Sequence, residues 1–167
     1  MKKNLLYFMF IASIFSIKAK TCEIVFHNNQ SVTLPVATTT ADQVRGLSGN
    51  NNDKGLIMAW DTAEYRAVWM RETYSPLTAL FIGPDGVIQS IQDMQPNTDT
   101  AHSSLHPTIA IIELKAEIRK TLTFIRGEKV ISSQCFPIQK TVTQVNLPVI
   151  DVKKKKITSR SSEVHVN

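Results

Sequence analysis

Three stretches of this chain carry side chains with chemistry in them. The first is Arg71-Glu72-Thr73, with Thr78 a few residues on. A guanidinium binds a carboxylate or phosphate through two parallel hydrogen bonds. Arg71 is therefore suited to clamping an anionic group, with the hydroxyls of Thr73 and Thr78 beside it and Trp69 just upstream. The plainer account is structural: Arg71 pairs with Glu72 or Glu113 and ties strand ends together, because charges set between buried strands need partners. The second is Glu113, inside the apolar run 108–114. A desolvated carboxyl has a raised pKa and serves as a general acid or base; on an edge strand it is instead salt-bridged or outward-facing. The third is the polar stretch 95–107, with His102, Ser103, Ser104 and His106. Two histidines four apart, with Met58, Met70 or Met94, would suit copper. That spacing brings the imidazoles together only on a helix, and Pro107 and the polarity argue a loop. Ser104 has neither a nucleophile elbow nor a third partner, so a hydrolase triad is the weaker reading. No metal or cofactor is expected.

The elements that must position these residues are mostly strands. Residues 77–82 form a short apolar run of strand length. Gly83-Pro84-Asp85-Gly86 is a turn: Pro84 presets φ, Asp85 suits the second central position and Gly86 accepts positive φ. Residues 87–94 return as the partner strand. Upstream, 22–26 and 31–36 read as a hairpin around 27–30. Thr40 stands three residues before Gln43, the spacing of a capping box, and opens a short helix ending near Gly46 or Gly49. After the Asn-rich 49–53, residues 55–60 read as a buried strand, 61–64 as a turn, and 65–70 as a returning strand. On that strand Tyr65, Ala67 and Trp69 share one face, and Val68 and Met70 the other. The segment 95–107 is a long polar loop, of a kind often functional. Residues 108–114 form another strand, 116–124 a short helix or strand, and 130–136 the closing strand. Trp60 and Trp69 fit a core more readily than a stacking site. The expected fold is mostly β, a small β sandwich or partly closed barrel with one or two short helices.

One motif spans the centre. Trp69-Met70, Thr73 and Pro76-Leu77, followed by an apolar strand and Asp85-Gly86, resembles the core motif of the bacterial and archaeal domain of unknown function 192 family. Arg45-Gly46-Leu47, 55–58, 104–107 and 112–114 match on either side, in the same order, so the resemblance covers roughly residues 34–131. Three positions depart from the family pattern: Glu72 replaces an Asn, Thr78 an Asp, and Ser48 a Met. The change at Thr78 weakens any acid–base role there. The resemblance implies a mostly β fold more than it implies an activity.

Composition sorts the chain into three parts. Residues 1–19 carry Lys2-Lys3, an apolar run over 5–17 and a small-residue site ending at Ala19, the pattern of a signal peptide. Residues 20–136 hold ten basic and twelve acidic side chains, a balance of −2, whereas 137–167 hold six and two, a balance of +4. The domain is therefore 20–136, slightly acidic, with a basic tail over 137–167 that is flexible or ordered by a partner. A nucleic-acid partner needs a basic face on the fold, and none is visible. Cys22 and Cys135 are the only two cysteines; an even count in an exported chain suggests a disulfide between them. The functional expectation is an exported, periplasmic or secreted, non-catalytic binding or assembly module of the cell envelope. Its partner would be a protein or small ligand there, and the membrane would be met only through the signal peptide before cleavage. The candidate binding residues are Trp69, Arg71, Thr73, Thr78, His102, Ser104 and Glu113. The alternative is a small periplasmic hydrolase-like or metal-dependent enzyme using the 102–106 loop and Glu113.

Overall fold

The computed structural model describes residues 20–50 and 54–139. The expected signal peptide and most of the basic tail lie outside the described residues. Among those described are nine strands and two short helices. β1 (Thr21–Phe26) and β2 (Ser31–Ala37) are the opening hairpin, with Asn29 in the left-handed region at φ 63°. Both strands alternate buried and exposed positions, the period-two pattern of a half-buried sheet. α1 (Thr40–Arg45) follows, and its cap sits one residue earlier than the spacing suggests: the Thr39 hydroxyl accepts from the Asp42 backbone N–H at 3.2 Å. Gln43, the expected partner in the capping box, instead donates through Nε2 to the Ala59 carbonyl at 2.7 Å and ties the helix to β3.

β3 (Gly55–Glu64) is longer than expected. It runs through 61–64, and the chain reverses at 65–66. Its antiparallel partner is β8 (Thr108–Lys115): Ala59 faces Ala110, but the next pair is Glu64 with Thr108. Four residues of β3 thus stand against Ile109 alone, a wide bulge that bends the strand. The expected returning strand shrinks to β4 (Ala67–Val68), which pairs with β7 (His102–Ser103) in a two-stranded ribbon.

β5 (Leu77–Ile82) and β6 (Ile88–Met94) make the central hairpin. Gly86 sits at φ 81°, where a side chain is strained, and its N–H donates to the Gly83 carbonyl at 2.9 Å. α2 (Ala116–Arg119) is a single turn, and β9 (Val130–Ser133) closes the domain against β1. The main sheet runs β6-β5-β8-β3-β2-β1-β9 and curls into a half-barrel, with β2 and β3 its parallel neighbours. One face buries Ile24, Phe26, Leu34, Ile57, Leu80, Ile82, Ile112 and Leu114. The other buries Met58, Ala79, Phe81 and Ile111 beneath Leu47, Val68 and Met70. Cys22 and Cys135 form a disulfide, Cα atoms 6.0 Å apart, across a separation of 113 residues. A disulfide fits an oxidising compartment outside the cytoplasm. Residues 137–139 pack on the β5–β6 turn, where Gln139 donates its N–H to the Pro84 carbonyl at 2.8 Å.

Candidate functional site

The segment 65–73 crosses the second face of the sheet. Alternation decides which side chains enter it: Val68 and Met70 are buried, whereas Tyr65 and Trp69 are exposed. Thr73 is also buried, its hydroxyl donating to the Arg71 carbonyl at 3.3 Å. Between this segment, α1 and the bulged end of β3 lies a cavity of about 600 Å³. Its apolar walls include Leu47, Met58, Trp60, Val68 and Trp69. That volume is within the range of small-ligand sites.

Glu113 lines this cavity and is 3% exposed. It comes from β8, which has β5 on one side and β3 on the other, so it is not on an edge strand. In register it stands opposite Leu56 and Ala79, neither of which offers its side chain a polar group. Among the described residues its carboxyl has no hydrogen bond and no ion pair. Burial alone pushes its pKa up to about 7.

The arginines around the cavity are all partnered. Arg45 pairs with Asp42 at 2.6 Å. Arg66 pairs with Glu64 at 3.5 Å, donates to the Thr62 carbonyl at 3.1 Å, and lies over the Trp60 ring at 4.1 Å from its centroid. Its Nε remains a buried donor without a partner. Arg71 donates from Nε to Asp99 at 2.8 Å, which raises its pKa further, and lies 5.9 Å from the centre of the Trp69 ring. The expected pairing of Arg71 with Glu72 or Glu113 does not occur. Arg71 and Glu72 are exposed, and Glu72 accepts from the Ser48 hydroxyl at 3.1 Å. The charged cluster is not sandwiched between buried strands because 71–72 form a surface turn, with Glu72 at φ 52°.

Of the candidate residues, the cavity brings together Trp69, Arg71, Thr73 and Glu113. The other three stand elsewhere. Thr78 neighbours Ala79 on β5 and so points to the face opposite Glu113; its hydroxyl donates to Asp93 at 2.6 Å. His102 pairs with Val68 in the ribbon. Ser104 is buried, its hydroxyl accepting from the Arg66 N–H at 3.0 Å while its own N–H donates to the Arg66 carbonyl at 2.8 Å. It fastens the reversal at 65–66. Sequence reasoning missed Trp60, Asp61 and Arg66 as lining residues. The signal was the mixed aromatic and charged run 60–66, which the bulge turns into a wall. Among the described residues no group of three or more His, Cys, Asp or Glu is placed to hold a metal ion.

Fold and site together define a small, disulfide-closed β half-barrel with a side cavity. The chain belongs to the DUF192 family (Uncharacterized ACR), whose profile matches residues 23–132. Two solved structures resemble it. One, from Sinorhizobium meliloti 1021, is described as a candidate transcription regulator; it is 25% identical, with a TM-score of 0.56, over 66% of this chain and 90% of that one. The other, a protein of unknown function from Novosphingobium aromaticivorans DSM 12444, is 24% identical, with a TM-score of 0.57, over 66% and 82%. No curated protein matches the chain.

Proposed function

We propose that the protein is an exported, non-catalytic binding domain of the cell envelope that takes a small ligand in the cavity between α1, β3 and residues 65–73. One observation carries this reading: a buried carboxyl, Glu113, opens without a partner onto a cavity that mixes apolar and polar walls. A desolvated carboxyl with no partner costs stability, and a ligand that bonds to it recovers that cost. The pattern over residues 1–19 and the disulfide support export. The enzyme alternative needs Glu113 and the 102–106 loop at one place, and the cavity lining includes none of His102, Ser104 or His106. The regulator description of the S. meliloti protein carries over poorly, because DNA contact asks for a basic face and residues 20–136 balance at −2.

A ligand-detected NMR screen of small fragments against the oxidised domain tests this, with Val44→Trp as control. Val44 lines the cavity and is 63% exposed, so a larger side chain there obstructs the cavity without entering the core. Fragments that bind the natural chain and lose contact in Val44→Trp support the site. Absence of any fragment sensitive to that substitution refutes it.

A further inference from the structure

The charges around the cavity do not balance one by one. Six ionisable side chains line it besides Glu113: Arg45 from α1, Asp61 and Glu64 from β3, and Tyr65, Arg66 and Arg71 from the segment that follows. Each arginine already has a carboxylate within ion-pair distance. Glu64 is taken by Arg66. Two carboxylates have no cation among the described residues: Asp61, exposed at the rim, and Glu113, buried within. The unpartnered Arg66 Nε is a donor on a guanidinium whose charge Glu64 already offsets. What the cavity lacks is a positive charge free of a partner, and beside its polar groups its walls offer apolar and aromatic surface.

From this juxtaposition we propose that the cavity binds a small organic ammonium, its charged nitrogen on the Glu113 carboxylate and its apolar body against Met58, Val68, Trp60 and Trp69. This deepens the binding-domain reading and rests on it. An anion would meet Glu113 and Asp61, with only the Arg66 Nε unpaired to hold it, on a guanidinium whose charge Glu64 already offsets. A neutral hydroxyl compound would bond to Glu113 in either form, accepting from the carboxyl or donating to the carboxylate, but it brings no charge to offset that carboxylate. The three classes therefore differ in their pH dependence. Glu113 has a pKa near 7, so binding a permanent cation converts a partly protonated carboxyl to a carboxylate and releases a proton. Affinity for the cation then rises about tenfold between pH 6 and pH 8, following the ionised fraction of Glu113. Affinity for an anionic acid falls over the same range, and affinity for an alcohol, which accepts from the carboxyl or donates to the carboxylate, changes less.

Isothermal titration of the full oxidised chain with 2-phenylethylamine, 2-phenylethanol and 3-phenylpropionate tests the assignment, at pH 6, 7 and 8 and in buffers of different ionisation enthalpy. The amine stays protonated throughout this range. The expected result is binding of the amine at least tenfold tighter than the alcohol or the acid at pH 8, tightening with pH, with proton release that disappears in Glu113→Gln along with most of the affinity. Binding of the alcohol or the acid in preference to the amine, or amine binding that weakens with pH, overturns the ammonium assignment and leaves the cavity a ligand site. Amine binding that Glu113→Gln leaves unchanged also overturns it. If none of the three binds, and the Val44→Trp control above shows no fragment sensitive to it, the site itself is refuted.

Discussion

Gly55 lies directly against the backbone of Glu113: a Cβ built on Gly55 would overlap the Glu113 carbonyl oxygen. Opposite Gly55 in register is Leu114, so this close approach sets β3 on β8 beside the buried acid. The atom in the way is backbone and cannot swing aside. Gly55→Ala should therefore force the strands apart and destabilise the domain by about 1–3 kcal/mol, the range for overpacking. Urea denaturation reads this directly, and an unchanged midpoint would mean that the approach is not required.

Glu113 makes stability depend on pH in an unusual direction. Its folded pKa is raised from 4.5 to about 7. Between these values the unfolded chain has released the proton and the folded one still holds it. Stability is thus fully present below about pH 4.5, falls as pH rises, and levels off above 7. The difference of some 2.5 units corresponds to about 3 kcal/mol. Glu113→Gln should flatten this dependence and be more stable than the natural chain at pH 8, by thermal melts across pH 4–8. A natural chain whose Glu113-dependent stability rises over that range would show that the carboxyl is ionised and partnered.

Arg71 should prove dispensable for folding. Its partner is Asp99, and the two side chains are 64% and 70% exposed, where ion pairs contribute little. Arg71→Ala and Arg71→Met should melt close to the natural chain, and added salt should erase what difference there is. A large loss in both variants would assign Arg71 a structural role that its surroundings do not indicate.

The Cys22–Cys135 disulfide closes a loop of 113 residues. In the chain-entropy account, closing a loop of this length contributes about 4–5 kcal/mol. The double variant Cys22→Ser, Cys135→Ser should lose stability of that order in chemical denaturation. It should also expose β9, whose only sheet neighbour among the described residues is β1. Equal stability of the reduced and oxidised protein would contradict this.

Much of the fold is legible in the sequence. The 77–94 hairpin declares itself through an apolar run, a Pro-Asp-Gly turn and a return strand, all local signals. The opening hairpin and the pairing of Cys22 with Cys135 are legible for similar reasons, alternation in one case and an even cysteine count in the other. The site is less so. Arg71 and Glu72 look like a buried cluster because apolar strands flank them, yet a positive φ at Glu72 turns both outward. The burial of Glu113 depends on β8 lying in the middle of the sheet, and strand order is set by long-range pairing that no local pattern reveals. The bulge that makes 60–63 a cavity wall is hidden the same way: the polar run 61–64 reads as a turn, and only the long-range pairing of Glu64 with Thr108 makes it part of the strand.

That bulge has a consequence for how the cavity opens. In the register of β3, residues 55–59 each face a partner on β8, whereas 60–63 face none, and β2 pairs only with Ile57 and Met58. Amide hydrogens at 55–59 should exchange with solvent only when the whole domain unfolds, while those of 60–63 exchange through local fluctuation. The two halves of one strand thus belong to different regimes of motion. The wall bearing Trp60 and Asp61, held by its side-chain contacts rather than by a ladder, should therefore open more readily than the neighbouring strand that holds Glu113.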